Sequence, residues 1–232
     1  MRRAKARVAL SLMNKPKISS VHFNYKHFFY PKMVGHDSNA LNSISYLDKP
    51  LNVMIDYWRS LSPGPDPPRV VYVVTEMARG SRNKYEYDVS QGFFKLDRVL
   101  YTYFPCDYGF IPQTLDDDGD PLDAVLLINE PTFTGCVTTS RPVANIKMMD
   151  GDMLDDKIVT VSTTDPFYRH INSLNDIPKS MVSELTFFFE NYKQVEGRTT
   201  RVERWEDIDD AIKIIDGAMR YYEEKSIKKI VI

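Results

Sequence analysis

The hydrophobic pattern of this chain changes period once, and that change limits what kind of body it can build. Past a proline-rich stretch, Val70-Val71-Tyr72-Val73-Val74-Thr75 is a short apolar run, Lys84 to Val89 alternates, and Gly92-Phe93-Phe94-Lys95-Leu96 follows a Ser-Gln turn. Short β-branched and aromatic segments bounded by turn residues read as strands. Ala124 to Ile128, Cys136 to Met148 and Lys157 to Val161 read the same way. In the last third the spacing becomes helical: Met181, Leu185, Phe188, Phe189 and Tyr192 fall on one face, and Ile208, Ala211, Ile212, Ile215, Met219 and Tyr222 on another. Two amphipathic helices follow from that spacing. Strands first and helices last predict an α+β protein, a five-stranded OB-like β-barrel core braced by two C-terminal helices.

The stretch Ser62-Pro63-Gly64-Pro65-Asp66-Pro67-Pro68 carries four prolines in seven residues and reads as a stiff linker. It divides the chain into a basic extension (1–36), a second extension with the Pro-rich linker (37–68), and a main domain (69–232). Residues 1–36 contain no Asp or Glu but hold Arg2, Arg3, Lys5, Arg7, Lys15, Lys17, Lys26 and Lys32 among Ser and small apolar residues. That composition is similar to a transit peptide for an organelle, a mitochondrion or plastid; the alternative is a basic tail on a cytoplasmic protein. In 37–61, Tyr57-Trp58 can add one packed segment to the core. At 232 residues and 43% hydrophobic, core material is ample. A net charge of -2 argues against a nucleic-acid binder, and the lack of any apolar run near 18 residues excludes a membrane-spanning helix. Cys106 and Cys136 are too few for a disulfide framework and read as buried free thiols.

Chemistry concentrates in Asp118-Gly119-Asp120-Pro121-Leu122-Asp123, three carboxylates on a stretch that Gly and Pro keep out of a helix interior. Asp116 and Asp117 precede it; Asp150, Asp152, Asp155 and Asp156 follow. Two carboxylates about 4 Å apart repel by roughly 4 kcal/mol at an effective dielectric of about 20, so a cluster needs positive charge among its members. Lys84, Arg98, Lys147, Lys157 and Lys193 are available. Hard oxygen ligands beside Lys and Arg suit a divalent ion that bridges to phosphate, whereas a solvated acidic turn explains Asp-Gly-Asp-Pro taken alone.

Read in order, Glu76, Lys84-Tyr85-Glu86, Asp97-Arg98, Pro105-Cys106-Asp107-Tyr108-Gly109-Phe110-Ile111-Pro112, the Asp118–Asp123 stretch, Lys147-Met148-Met149-Asp150, Asp155-Asp156-Lys157 and Phe188-Phe189-Glu190-Asn191-Tyr192-Lys193 resemble the soluble family I inorganic pyrophosphatases. The likeness covers about residues 70 to 224. It implies that 69–232 is a catalytic domain hydrolysing inorganic pyrophosphate to two phosphates. The attack would be in line, by metal-activated water, with Mg²⁺ as cofactor and Mn²⁺ as a substitute. By the same resemblance Asp118, Asp123 and Asp155 hold the tightest ion, Asp150 joins Asp155 on another, and Glu76 and Glu86 reach metal through water or position an ion arriving with substrate. Asp120 is the base that takes a proton from the attacking water. Lys84, Arg98, Lys157, Tyr192 and Lys193 match phosphate ligands, and Tyr108 a phenol near the reacting centre. A homo-oligomer, hexamer or dimer, is also implied.

One position departs from the pattern: Phe104 stands where many relatives have Tyr, which predicts one hydroxyl fewer around phosphate. Asp116, Asp117, Asp152 and Asp156 read as solvated, Lys147 as supporting structure, and Asp97 either as a partner of Arg98 or as a strand end. An EF-hand is excluded, because Asp116-x-Asp118-x-Asp120 is followed by Pro121 where Gly is required and by Leu127 where Glu is required. The remaining alternative is a catalytically inactive OB-like binding or interaction protein.

Overall fold

Residues 55–230 are described by the computed structural model. The transit-peptide reading of 1–36, and everything expected of residues up to 54, lies outside the described residues. Chain order is β1 (Val71–Met77), β2 (Asn83–Asp88), β3 (Phe93–Val99), β4 (Asp107–Phe110), β5 (Asp123–Leu127), β6 (Val137–Asp150), β7 (Met153–Leu154), β8 (Lys157–Ser162), α1 (Lys179–Asn191), β9 (Thr200–Asp207) and α2 (Ile208–Ile230).

Five strands close a ring in the order β1-β4-β5-β8-β6, and β6 returns to β1. All neighbours are antiparallel except β5 and β8, which run parallel. The expected barrel is therefore present. Its membership differs from the pattern reading, because β4 completes the ring while β2 and β3 form a separate hairpin. β4 is four residues with Asp and Gly inside, too short to alternate visibly. Gly109 is required there: a Cβ would lie 1.8 Å from the Val74 carbonyl oxygen of the neighbouring strand. The two helices brace the barrel as expected, but β9 lies between them in sequence and pairs along the outer part of β6.

Residues on β5 alternate between two cores, as a strand buried on both faces requires. Val125 and Leu127 pack with Val159, Val161 and the α1 residues Leu185, Phe188 and Phe189. Ala124 and Leu126 pack with Ile158 and the α2 residues Ala211 and Ile215. A third cluster joins Trp58, Val74, Tyr87 and Phe110, with Tyr222 of α2 beside them. Trp58 thus belongs to the core, as the aromatic pair in 37–61 suggested. The Pro-rich stretch folds against the start of β1, where the Pro63 carbonyl accepts the Tyr72 amide at 2.8 Å and Asp66 bridges to Val70. It is a packed turn, and the stiff linker expected there is corrected: the prolines fix φ while Pro63 and Asp66 bond to β1 and its approach.

Candidate active site

The strand ends and loops at one side of the ring enclose a cavity of about 540 Å³. Every residue assigned a site role above lines it: Glu76 from β1, Lys84 and Glu86 from β2, Arg98 from β3, Tyr108 from β4, Asp118 and Asp120 from the loop between β4 and β5, and Asp123 from the head of β5. Asp150 comes from the end of β6, Asp155 and Lys157 from the entry to β8, and Tyr192 and Lys193 from the end of α1.

Local structure aims these side chains. Lys84 and Glu86 share a face of β2, being two residues apart, and Lys84 lies opposite Arg98 in the hairpin register. The β1–β4 pairing steps from Thr75↔Gly109 to Met77↔Tyr108, so Glu76 is the extra residue of a bulge, a device that turns a side chain out of the regular alternation. The acidic loop turns at Gly119, with φ at 93°, and closes on itself: the Asp116 amide donates to the Asp120 carbonyl at 2.8 Å and the Asp120 amide to Asp118 Oδ1 at 3.0 Å.

Charges answer one another unevenly. Lys157, 1% exposed, donates to Asp123 Oδ2 at 2.5 Å and also to Asp155. Burial works against its charge, but Asp123 and Asp155 outweigh it and hold the ammonium protonated. Asp150 accepts from Lys193 Nζ at 2.6 Å and Arg198 Nη2 at 2.7 Å. Asp97 accepts from both Arg98 and Lys84, which settles its role as a partner that holds those cations, and Arg98 Nε also donates to Glu196 at 2.7 Å. Lys84 is raised above its ordinary value, burial opposing and Glu86 prevailing. Burial, with Asp123 and Asp155 nearby, pushes the Tyr108 phenol well up, so it remains a donor.

The acidic loop lacks such partners. Burial, then Asp118 and Asp123, raise the Asp120 carboxyl, and burial lifts Asp116 to about 6. Glu76, buried and accepting the Tyr87 amide at 2.7 Å, is pushed up to about 8, burial being the main cause. Carboxylates outnumber cationic side chains nine to six around the cavity. Among the described residues no three acidic, His or Cys side chains form a ready-made cation cage, because lysines stand between the strand-borne acids. Surplus hard-oxygen ligands with raised carboxyls fit a divalent cation. Arg98 Nη2 is buried without an acceptor, which fits an incoming anion.

Some assignments change. Asp116 lines the cavity and is half-buried, and Asp156 is 6% exposed, accepting from Asn145 Nδ2 at 2.8 Å; neither is the solvated residue expected. Cys106 is buried and free as predicted, whereas Cys136 is only half-buried. Phe104 does not line the cavity: its ring packs 4.8 Å from Phe188 and 5.6 Å from Tyr108 in the core. A hydroxyl missing at that position therefore finds no phosphate contact to act through. Arg198 escaped the sequence reading, since a lone Arg after Gly197 carries no pattern of its own.

Surplus carboxylates facing buried cations at the mouth of a small closed barrel suit a small phosphate anion held together with a metal cation. Comparison with known proteins narrows that reading. A family model described as inorganic pyrophosphatase matches residues 73–223. The inorganic pyrophosphatase of Nostoc sp. is 44% identical over 162 residues, covering 69% of this chain and 96% of that protein. That of Haloferax volcanii is 45% identical over 174 residues, covering 74% and 98%. The crystal structure of inorganic pyrophosphatase from Thermus thermophilus superposes with a TM-score of 0.70 at 38% identity, over 73% of this chain and 99% of that one. The chain belongs to the inorganic pyrophosphatase family.

Proposed function

We propose that this protein hydrolyses inorganic pyrophosphate to two phosphates with Mg²⁺ as its cofactor, Mn²⁺ substituting. The observation that carries the reading is the convergence of the whole family-like set of acids and bases on one cavity, in a chain that belongs to the inorganic pyrophosphatase family. Asp118, Asp123 and Asp155 would hold the tightest ion, Asp150 would join Asp155 on another, and Glu76 and Glu86 would support the set. When bound, Mg²⁺ lowers the pKa of water and neutralises phosphate charge.

The remaining work falls to the chain's own groups. Asp120, fixed at its amide by Asp118 and raised by burial and then by Asp118 and Asp123, accepts the proton of the attacking water. Arg98 offers its free Nη2, and Lys84, Lys157, Tyr192 and Lys193 offer further donors to phosphate oxygens as the bridging P–O bond breaks. Tyr108, kept protonated, donates a hydrogen bond beside the reacting centre. A phosphate-release assay tests the reading with pyrophosphate, triphosphate and ATP, each with Mg²⁺, Mn²⁺ or a chelator. Release from pyrophosphate should follow Mg²⁺ and stop on chelation; none from pyrophosphate overturns it.

The main catalytic domain self-associates as a hexamer or dimer, supported by exposed apolar side chains such as Phe133, Phe167 and Phe187, each more than 60% accessible. Analytical ultracentrifugation of the full chain checks this, a monomer at working concentration being the contrary result. The basic residues 1–36 address the protein to a mitochondrion or plastid. Comparing fluorescent fusions with and without that stretch checks this; unchanged cytosolic signal refutes it.

A further inference from the structure

The family model begins at residue 73, yet the segment from Asp56 to Leu61 touches both walls of the cavity without lining it. Trp58 is 7% exposed, and its indole Nε1–H donates to the Thr114 carbonyl at 2.7 Å. Its own carbonyl accepts the Gln113 amide at 2.9 Å, and Gln113 Nε2 donates to the Arg59 carbonyl at 3.1 Å. Among the described residues Gln113 is the non-glycine residue that takes a positive φ, 51°, a left-handed conformation unfavourable for an L side chain. Fully buried Thr114 follows: its hydroxyl donates to the Ile111 carbonyl at 2.6 Å and accepts the Leu122 amide at 2.9 Å. One hydroxyl thus ties the two ends of the acidic loop, and Trp58 grips the strained backbone from which it hangs. On the opposite wall, the Tyr87 phenol donates to Asp56 Oδ1 and accepts the Tyr57 amide, both at 3.1 Å, while the Tyr87 amide holds Glu76.

We propose that Trp58 is a positioning residue that sets how well the acidic loop holds Asp118 and Asp123 for a divalent cation. The inference rests on the assignment of those aspartates to the metal-binding loop. Packing alone does not account for the arrangement: the indole N–H is directed at a buried carbonyl next to a left-handed residue, whereas the ring packs on Tyr222 of α2 at 5.4 Å, under the Arg59 guanidinium at 4.6 Å and among Val74, Tyr87 and Phe110.

The test is Mn²⁺ binding to the metal-free full chain, read from the resonance signal of free Mn²⁺, with thermal unfolding measured alongside. Trp58→Phe keeps a ring and removes the donor, leaving the Thr114 carbonyl without its partner. It should weaken Mn²⁺ binding about five-fold. The Mg²⁺ needed for half-maximal phosphate release should rise in step, while KM for pyrophosphate at saturating Mg²⁺ stays within about two-fold. Gln113→Gly in that background removes the left-handed penalty and should restore most of the lost affinity. Tyr222→Leu loosens the ring but spares the indole bond, so it should lower Tm with Mn²⁺ binding unchanged. Normal Mn²⁺ binding by Trp58→Phe overturns the proposal, as does an equal weakening by Tyr222→Leu. Asp123→Ala in the same titration reports on the metal assignment itself: unchanged binding there brings down that assignment and the inference with it. Weakened binding by Asp123→Ala beside a normal Trp58→Phe brings down the inference alone.

Discussion

The two acidic stretches that meet in the cavity are held by different physics. Asp123, Asp150 and Asp155 stand at strand ends or beside them, and each touches a fixed cation: Lys157 for the first and third, Lys193 and Arg198 for the second. Asp116, Asp118 and Asp120 sit on a turn bonded to its own backbone, and among the described residues none of them is in an ion pair, Lys84 acting on Asp120 only from a distance. The difference appears in their chemistry. Asp116 and Asp120 are raised, burial and neighbouring acids being the causes. One wall comes with its counterions built in, and the other is finished by whatever cation enters.

Substitutions can break or sharpen that contrast. The largest effect is expected at Asp120→Asn, where turnover should fall by roughly 10² to 10⁴ with Mn²⁺ affinity nearly unchanged, as for the loss of a general base. Equal losses of turnover and affinity would make Asp120 a ligand like its neighbours. Lys157→Met should destabilise the metal-free protein by about 3 kcal/mol in denaturant unfolding, because two acids lose a buried partner while keeping some water. Mg²⁺ should recover part of that loss, making the built-in wall behave like the loop wall; no recovery would separate the two for good. Arg98→Lys should raise KM for pyrophosphate by about ten-fold with kcat less affected, since an ammonium cannot offer the guanidinium fork. Arg198→Ala, at a side chain 55% accessible, should change stability by less than about 1 kcal/mol, and Lys193→Met, at 10%, by more. If the order of that last pair reversed, exposure would not be what grades the built-in partners.

The sequence announced the long periodic elements and the acids and bases of the cavity, and it did so for different reasons. α1, α2 and the alternating strands bury a face at a regular spacing, so their pattern is visible residue by residue. The cavity residues were found through ordered motifs, since nothing in a single Lys or Asp tells whether it is solvated. β4 escaped because a buried ring strand containing Asp107 and Gly109 has no alternation to read. β9 escaped because Arg201, Glu203 and Arg204 point to solvent while Val202 and Trp205 are its hydrophobic residues on the core side, beside polar Thr200 and Glu206, which makes the stretch look like a charged connection. Asp156 reads as solvated because its partner, Asn145, meets it only through the register of β6 against β8, and Phe104 reads as a site residue because a motif position does not reveal which way a side chain packs.

The ring closes where Val71–Val74 meet Val137–Ser140, partners separated by more than half a hundred residues of intervening chain. Contacts of that span form slowly, since a long stretch must be confined before any favourable contact repays its ordering. A ribosome-bound chain cannot complete the circle until β8 has emerged, because β5 and β6 are both stitched to it. Enclosure therefore arrives late: proteolytic fragments ending before residue 157 should contain the acids of the cavity but neither the closed ring nor Lys157, Tyr192 and Lys193.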